Sequence, residues 1–268
     1  MDKQQLLKKY NNPEDKLLIS KLLDQEELSK TKNKITTTDF LDLHEQYLLE
    51  KILKENKIIN YIIHGGINES ERKIILFYPE KLEQVAKNNP KNLLDISAIR
   101  INLPKELEAT YTHKDYLGAL IKIGISREKI GDILVDKNGA DILIKNEILK
   151  FTLINLKDLT RFSKSEIIQI NLDEVREKVQ NMQELKIIVP SMRLDAVVSE
   201  LARTSRNKAD ELLNLGKVFI NFENITKGTK QVKEKDIITI RSKGRFIIDR
   251  IDGQTKSGRT VLLVNKYI

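Results

Sequence analysis

The stretch MRLDAVVSELARTSRNKADELLNLGKVFINFENITKGTKQVKEKDIITIRSKGRF, residues 192–246, decides how the chain ends. Leu194, Val197, Val198 and Leu201 recur at the spacing of one helix face. Ser205 stands as an N-cap before a second helix over 206–215, which Gly216 stops. Strands are expected over 217–221 and 237–241, then a hairpin over 246–251 and 259–264 across a turn at 253–258. With Leu194, Val197, Leu201, Ala209, Leu212 and Leu213 inward, Arg193, Arg203, Arg206, Lys208 and Lys217 are left on a common outer surface. Arginine forks and lysine point charges suit phosphate oxygens, and the helix start at Ser205 adds oriented N–H groups. Such contacts position an RNA backbone while reading little sequence. The competing reading is a solvated charged face.

Charge placement bears on that choice. The 268 residues hold 47 Lys and Arg against 39 Asp and Glu, a net +8. From Pro190 onward the count is 16 against 9, so +7 of the excess falls in the last third. This is where a footprint for polyanions belongs. Cysteine is absent, which removes disulfides, thiolate zinc sites and cysteine nucleophiles. His44, His64 and His113 lie in separate elements without paired spacing, so no metal site is expected. No apolar run approaches the ~20 residues that span a bilayer, and the start Met-Asp-Lys-Gln-Gln lacks a signal-peptide pattern. A cytoplasmic location, with no membrane partner, is the resulting expectation.

Upstream, helical spacing runs over 3–57, broken at Asn11-Asn12-Pro13 and by a polar stop at Thr36-Thr37-Thr38-Asp39. Over 58–188 the element type alternates. Strands are expected at 58–64, 73–78, 96–103 and 167–172, and helices at 79–88, 114–123 and 147–156. Asn138-Gly139 marks a hairpin between 133–136 and 140–144. A linker is expected over 173–184. The mixture reads as α+β, with sheets covered on one face by helices.

Arg193-Leu194-Asp195, Ser205-Arg206 with Ala209, Gly216-Lys217-Val218, Asn221, Asp236 and Arg241 together resemble the RNA-binding domain of ribosomal protein S-four. Phe222-Glu223-Asn224 departs from that pattern, where a small turn residue is usual. Phe40-Leu41-Asp42 with Glu45-Gln46, Gly65-Gly66 with Glu71-Arg72, the run 113–120, and 124–133 stand in the order found in YlmH-like proteins. The resemblance implies a helical region over 1–57, a central RNA-recognition-like α/β sandwich over 58–186, and an S-four-type (αL-type) domain with a C-terminal hairpin over 187–268. It implies a bacterial, non-catalytic factor that binds ribosomal RNA and/or tRNA on the large ribosomal subunit, in quality control of stalled peptidyl-tRNA. No cofactor or small-molecule substrate is expected. RNA-contacting residues are placed at Arg193, Arg203, Ser205, Arg206, Asn207, Lys208, Lys217, Lys227, Lys230 and Arg245.

Other features have two readings. Gly65-Gly66 is a turn before it is a phosphate loop. His113-Lys114-Asp115 reads as a helix start with a surface histidine, and Arg127 to Lys129 as a solvated turn. A second RNA surface at His113, Lys114, Arg127 and Lys129 is the competing reading. Asp195 reads as an orienting group for Arg193 or a backbone amide. An RNA-modifying enzyme that uses the module as a targeting arm would need a catalytic Asp in Gly-Arg-Leu-Asp, a methyl-donor loop or synthetase signatures. None of these is present in the sequence. A cell-division factor is the third class, without a positive feature.

Overall fold

The computed structural model describes residues 3–176 and 182–267. The chain divides into two compact units, Met1–Lys178 and Val179–Ile268.

In the first unit, α1 (Lys3–Leu7) leads to α2 (Pro13–Lys32), where the Asn12 side chain accepts from the Glu14 amide at 2.9 Å. β1 (Thr36–Thr37) precedes α3 (Leu43–Glu55), which a reciprocal capping box between Asp42 and Glu45 opens. β2 (Tyr61–His64) and β3 (Ile74–Phe77) complete an antiparallel sheet in the order β1-β3-β2. After α4 (Glu83–Asn88) come β4 (Ile96–Asn102), α5 (His113–Lys122), β5 (Ile130–Asp136), β6 (Gly139–Lys145), α6 (Leu149–Lys157) and β7 (Glu166–Ile170). These last strands form a second antiparallel sheet, ordered β5-β6-β4-β7. The β-α-β-β-α-β succession is the split arrangement, so the RNA-recognition-like sandwich expected from the resemblance matches in strand order. Its Asn138-Gly139 turn needs glycine. At Gly139, φ is +146° and an added Cβ would lie 1.8 Å from the Ile101 carbonyl oxygen.

Alternation along β3 sets the layering. Ile75 and Phe77 join Leu22, Leu49 and Ile52 of the helices, while Ile74 and Leu76 join Phe40, from the connection before α3, and Ala98 and Leu143 on the second sheet. The other face of that sheet, through Ile99, Ile101, Ile142 and Ile144, packs on Tyr116, Leu120 and Leu156 of α5 and α6. The order is helices, sheet, sheet, helices. The helical region expected over 1–57 shares its core with β3, and the expected boundary at 57/58 does not divide compact units.

The second unit opens with β8 (Met182–Val189), which occupies the end of the expected linker; residues 177–181 of that linker lie outside the described residues. α7 (Leu194–Ala202) and α8 (Arg206–Asn214) follow. Then come β9 (Val218–Ile220), β10 (Glu223–Asn224), β11 (Ile237–Ile240), β12 (Gly244–Gln254) and β13 (Thr260–Tyr267). The sheet order is β10-β9-β11-β12-β13-β8. Val197, Leu201 and Leu213 of the two helices bury against Ile220, Ile238, Phe246 and Val264, covering one face. Each such side chain contributes about 1.5–3 kcal/mol by leaving water. The chain is α+β in both units.

Candidate nucleic-acid interface

In the second unit, the packing of α7 and α8 fixes which charged groups face outward. Arg203 ends α7 in the left-handed conformation (φ 51°) and is exposed. Ser205 caps α8, its hydroxyl accepting from the Lys208 amide at 3.4 Å. Ala209 and Leu213 bury inward, which leaves Arg206, Asn207 and Lys208 exposed on the first turn.

Asp195 organises this surface. Its side chain is only 5% exposed. It accepts from Arg193 Nη2 at 2.6 Å and Nε at 3.2 Å, from Arg206 Nη2 at 3.1 Å, and from the Ala196 amide at 2.7 Å. Hydrogen bonding from Arg193, joined by Arg206, holds the carboxyl below its ordinary pKa. Neither guanidinium is consumed by the contact: the side chains remain 39% and 50% exposed. A buried carboxylate thus presents two half-exposed forks in fixed positions.

The loop after β10 adds two more cations. The Asp195 amide donates to the Gly228 carbonyl at 3.0 Å, and the Leu194 amide to the Lys230 carbonyl at 2.9 Å. A Cβ at Gly228 would lie 3.0 Å from both Asp195 Cβ and Asp210 Oδ1. This close approach lays the exposed Lys227 and Lys230 beside the start of α7. Exposed Lys217 precedes β9, and its carbonyl accepts from the Arg241 amide at 2.9 Å. Arg245 stands apart from these cations. Phe246 points into the core, so alternation sends Arg245 to the face without helices, where it lies 5.1 Å over the Tyr267 ring. It does not share a surface with Arg206.

The four residues of the expected second surface separate. His113 and Lys114 are exposed on the first turn of α5. Arg127 donates to the Ile130 carbonyl at 2.6 Å, and burial, with Arg72 beside it, pushes it down to about 10. Lys129 lies between Asp39 and Glu147, each at 2.6 Å. Arg127 and Lys129 are therefore structural. The sequence could not show this, because the groups that engage Lys129 come from residues 39 and 147.

Among the described residues no helix is long and apolar enough to cross a membrane, and no group of three His, Asp or Glu side chains could hold a metal ion.

Residues 90–184 match the family model described as "Putative RNA-binding domain in YlmH". The chain is 25% identical over 246 residues to "Ribosome-associated protein quality control protein P2" of Bacillus subtilis (strain 168), covering 92% of this chain and 93% of that protein. Among solved structures it resembles "Cell division protein ylmH from Streptococcus pneumoniae". The TM-score is 0.48 at 20% identity, with 62% of this chain and 98% of that one covered. Residues 90–184 are thus similar to the YlmH RNA-binding domain, and the similarity to the Bacillus subtilis protein extends over most of both chains.

Proposed function

We propose that the chain is a non-catalytic RNA-binding protein that engages structured ribosomal RNA and/or tRNA on the large ribosomal subunit, acting in quality control of stalled peptidyl-tRNA. One observation carries the reading. Asp195 gathers Arg193 and Arg206 into one half-exposed pair, with Lys208, Lys227 and Lys230 exposed on the adjoining turn and loop. Forks held in fixed orientation suit phosphate oxygens and lose little entropy on contact. The relative's name, which speaks of ribosome association and quality control, supplies the cellular setting. Cytoplasmic location follows from that setting.

Sedimentation tests the reading. The full chain, incubated with purified ribosomal subunits, should travel with the large subunit through a sucrose gradient. Arg206→Ala with Lys208→Ala should shift it toward the top. Migration of the unmodified chain at the top alone would end the proposal.

A further inference from the structure

The surface by which the central domain meets RNA follows from how the fold distributes a nearly balanced set of charges. Residues 90–176 hold 14 Lys and Arg against 13 Asp and Glu, so composition favours no face. The fold separates them. On the side of the sheet that faces the first three strands, Asp141 is fully buried between Arg100 (2.7 Å) and Arg176 (2.9 Å). Lys145, 3% exposed, pairs with Asp95 at 2.8 Å and donates to Thr37 Oγ1 and the Thr38 carbonyl. Ile74, Leu76 and Phe40 close over the rest. A base cannot stack on a sheet face already covered by protein, so this face is not available to RNA.

The helical side is open and basic. Over His113–Lys122 and Leu149–Lys164, six Lys and Arg stand against Asp115 and Asp158. Asp115 is engaged as the partner of the α5 cap, accepting from the Thr112 amide at 2.9 Å and its hydroxyl at 2.8 Å. A cleft of about 420 Å³ lies between α5 and the turn around Arg161, lined by Lys114, Asp115, Gly118, Lys122 and Arg161, with Asp115 Oδ1 3.5 Å from Arg161 Nη1. Arg161 is held in place at its rim. Its Nη1 donates to the Asp115 carbonyl at 2.8 Å, and its guanidinium lies 5.4 Å over the Tyr111 ring. Gly118 leaves the floor open, since a Cβ there would meet nothing within 4 Å. On α6, exposed Phe151 and Ile154 sit among Lys150 and Lys157, apolar surface that sugars and bases can cover.

We infer that this domain meets structured RNA with its helical side, the cleft of Lys114, Lys122 and Arg161 taking backbone phosphates, and not with its sheet. The inference rests on the RNA-binding reading above and adds a contact surface to it.

The test uses the full chain and unfractionated tRNA as the structured RNA, with binding followed across a salt series. Lys114→Glu with Lys122→Glu should weaken binding about tenfold. It should lower the slope of log affinity against log salt by up to about 1.8, taking ~0.9 per lost phosphate contact from duplex DNA as a guide. Both lysines are exposed, so melting should stay unchanged. Ultraviolet crosslinks of the unmodified chain should fall on peptides holding residues 113–122 and 159–164. Arg206→Ala with Lys208→Ala separates the two readings. If that pair weakens binding while the Lys114 and Lys122 variant keeps the original affinity and slope, the helical side is overturned and the RNA-binding reading stands. If the unmodified chain binds neither tRNA nor ribosomal subunits, both fall.

Discussion

Arg206 reaches back from the first turn of α8 to donate to the Asp195 carboxylate at 3.1 Å, joining two helices through a side chain that is half in solvent. The same carboxylate holds Arg193. The pair explains how a basic module can hold arginines ready for phosphate at a negative residue: the acid supplies orientation, and the unused donors of each fork remain outside.

This arrangement sets charge against position. Removing Asp195 adds a net positive charge, which by itself would strengthen binding to RNA. Loss of the anchor frees two long side chains and takes from the Ala196 amide the nearer of its two acceptors, leaving the Arg193 carbonyl at 3.1 Å. Asp195→Ala should therefore weaken tRNA or ribosome binding several-fold and lower stability by about 1–3 kcal/mol. Tighter binding, measured by titration at constant salt, would show that position does not matter.

The same carboxyl gives a pH dependence. Arg193 and then Arg206 hold it below the ordinary range, so the unfolded chain binds this proton first as pH falls. Its contribution to stability is full above the unfolded carboxylate value, near 3.9, and is lost as pH falls through the lower folded value. Thermal melts from pH 6 to pH 3 should show an acid-side loss in the unmodified chain that is smaller in Asp195→Ala.

Tyr116 predicts a change at the alkaline end. It is fully buried, stacked on Phe162 at 5.6 Å, and burial pushes it up to about 12. Ultraviolet titration of the folded chain should leave one tyrosine un-ionised until about pH 12. Because the folded value is raised, stability is complete below pH 10 and declines as pH rises above it. Tyr116→Phe should remove the late step. It should cost little stability, since the Tyr116 hydroxyl has no hydrogen-bond partner among the described residues.

Asp141 tests the closed sheet face. Its buried carboxylate is shared by Arg100 and Arg176, so Asp141→Ala leaves Arg100 with the Glu174 carbonyl and Arg176 with Asp136. A loss of about 1–3 kcal/mol is expected from denaturant unfolding. RNA affinity of the folded fraction should not change, because this face takes no part in binding.

Much of the architecture could be read before any coordinates. Apolar spacing located α2, α3, α5, α7 and α8, and Asn138-Gly139 located the β5–β6 hairpin, because helix faces and tight turns depend on neighbours a few residues away. The Arg193-Leu194-Asp195 and Ser205-Arg206 motifs marked the surface later found around Asp195 for the same reason. β1 read as a polar stop because Thr36 and Thr37 become a strand only when Phe77 and Leu76 lie opposite them. β8 read partly as linker because its pairing partner, β13, lies at the other end of the unit.

Local pattern in the sequence by itself therefore determined the element types, the α+β class and the basic character of the C-terminal third. Tertiary structure alone decided which cations are free to meet a ligand. Arg127 and Lys129 were neutralised or buried by distant partners, Arg245 was turned to the far face of its sheet, and Lys114, Lys122 and Arg161 were collected at one cleft. The physical reason is that a charge acts through its distance to other charges and to water, and the fold sets both.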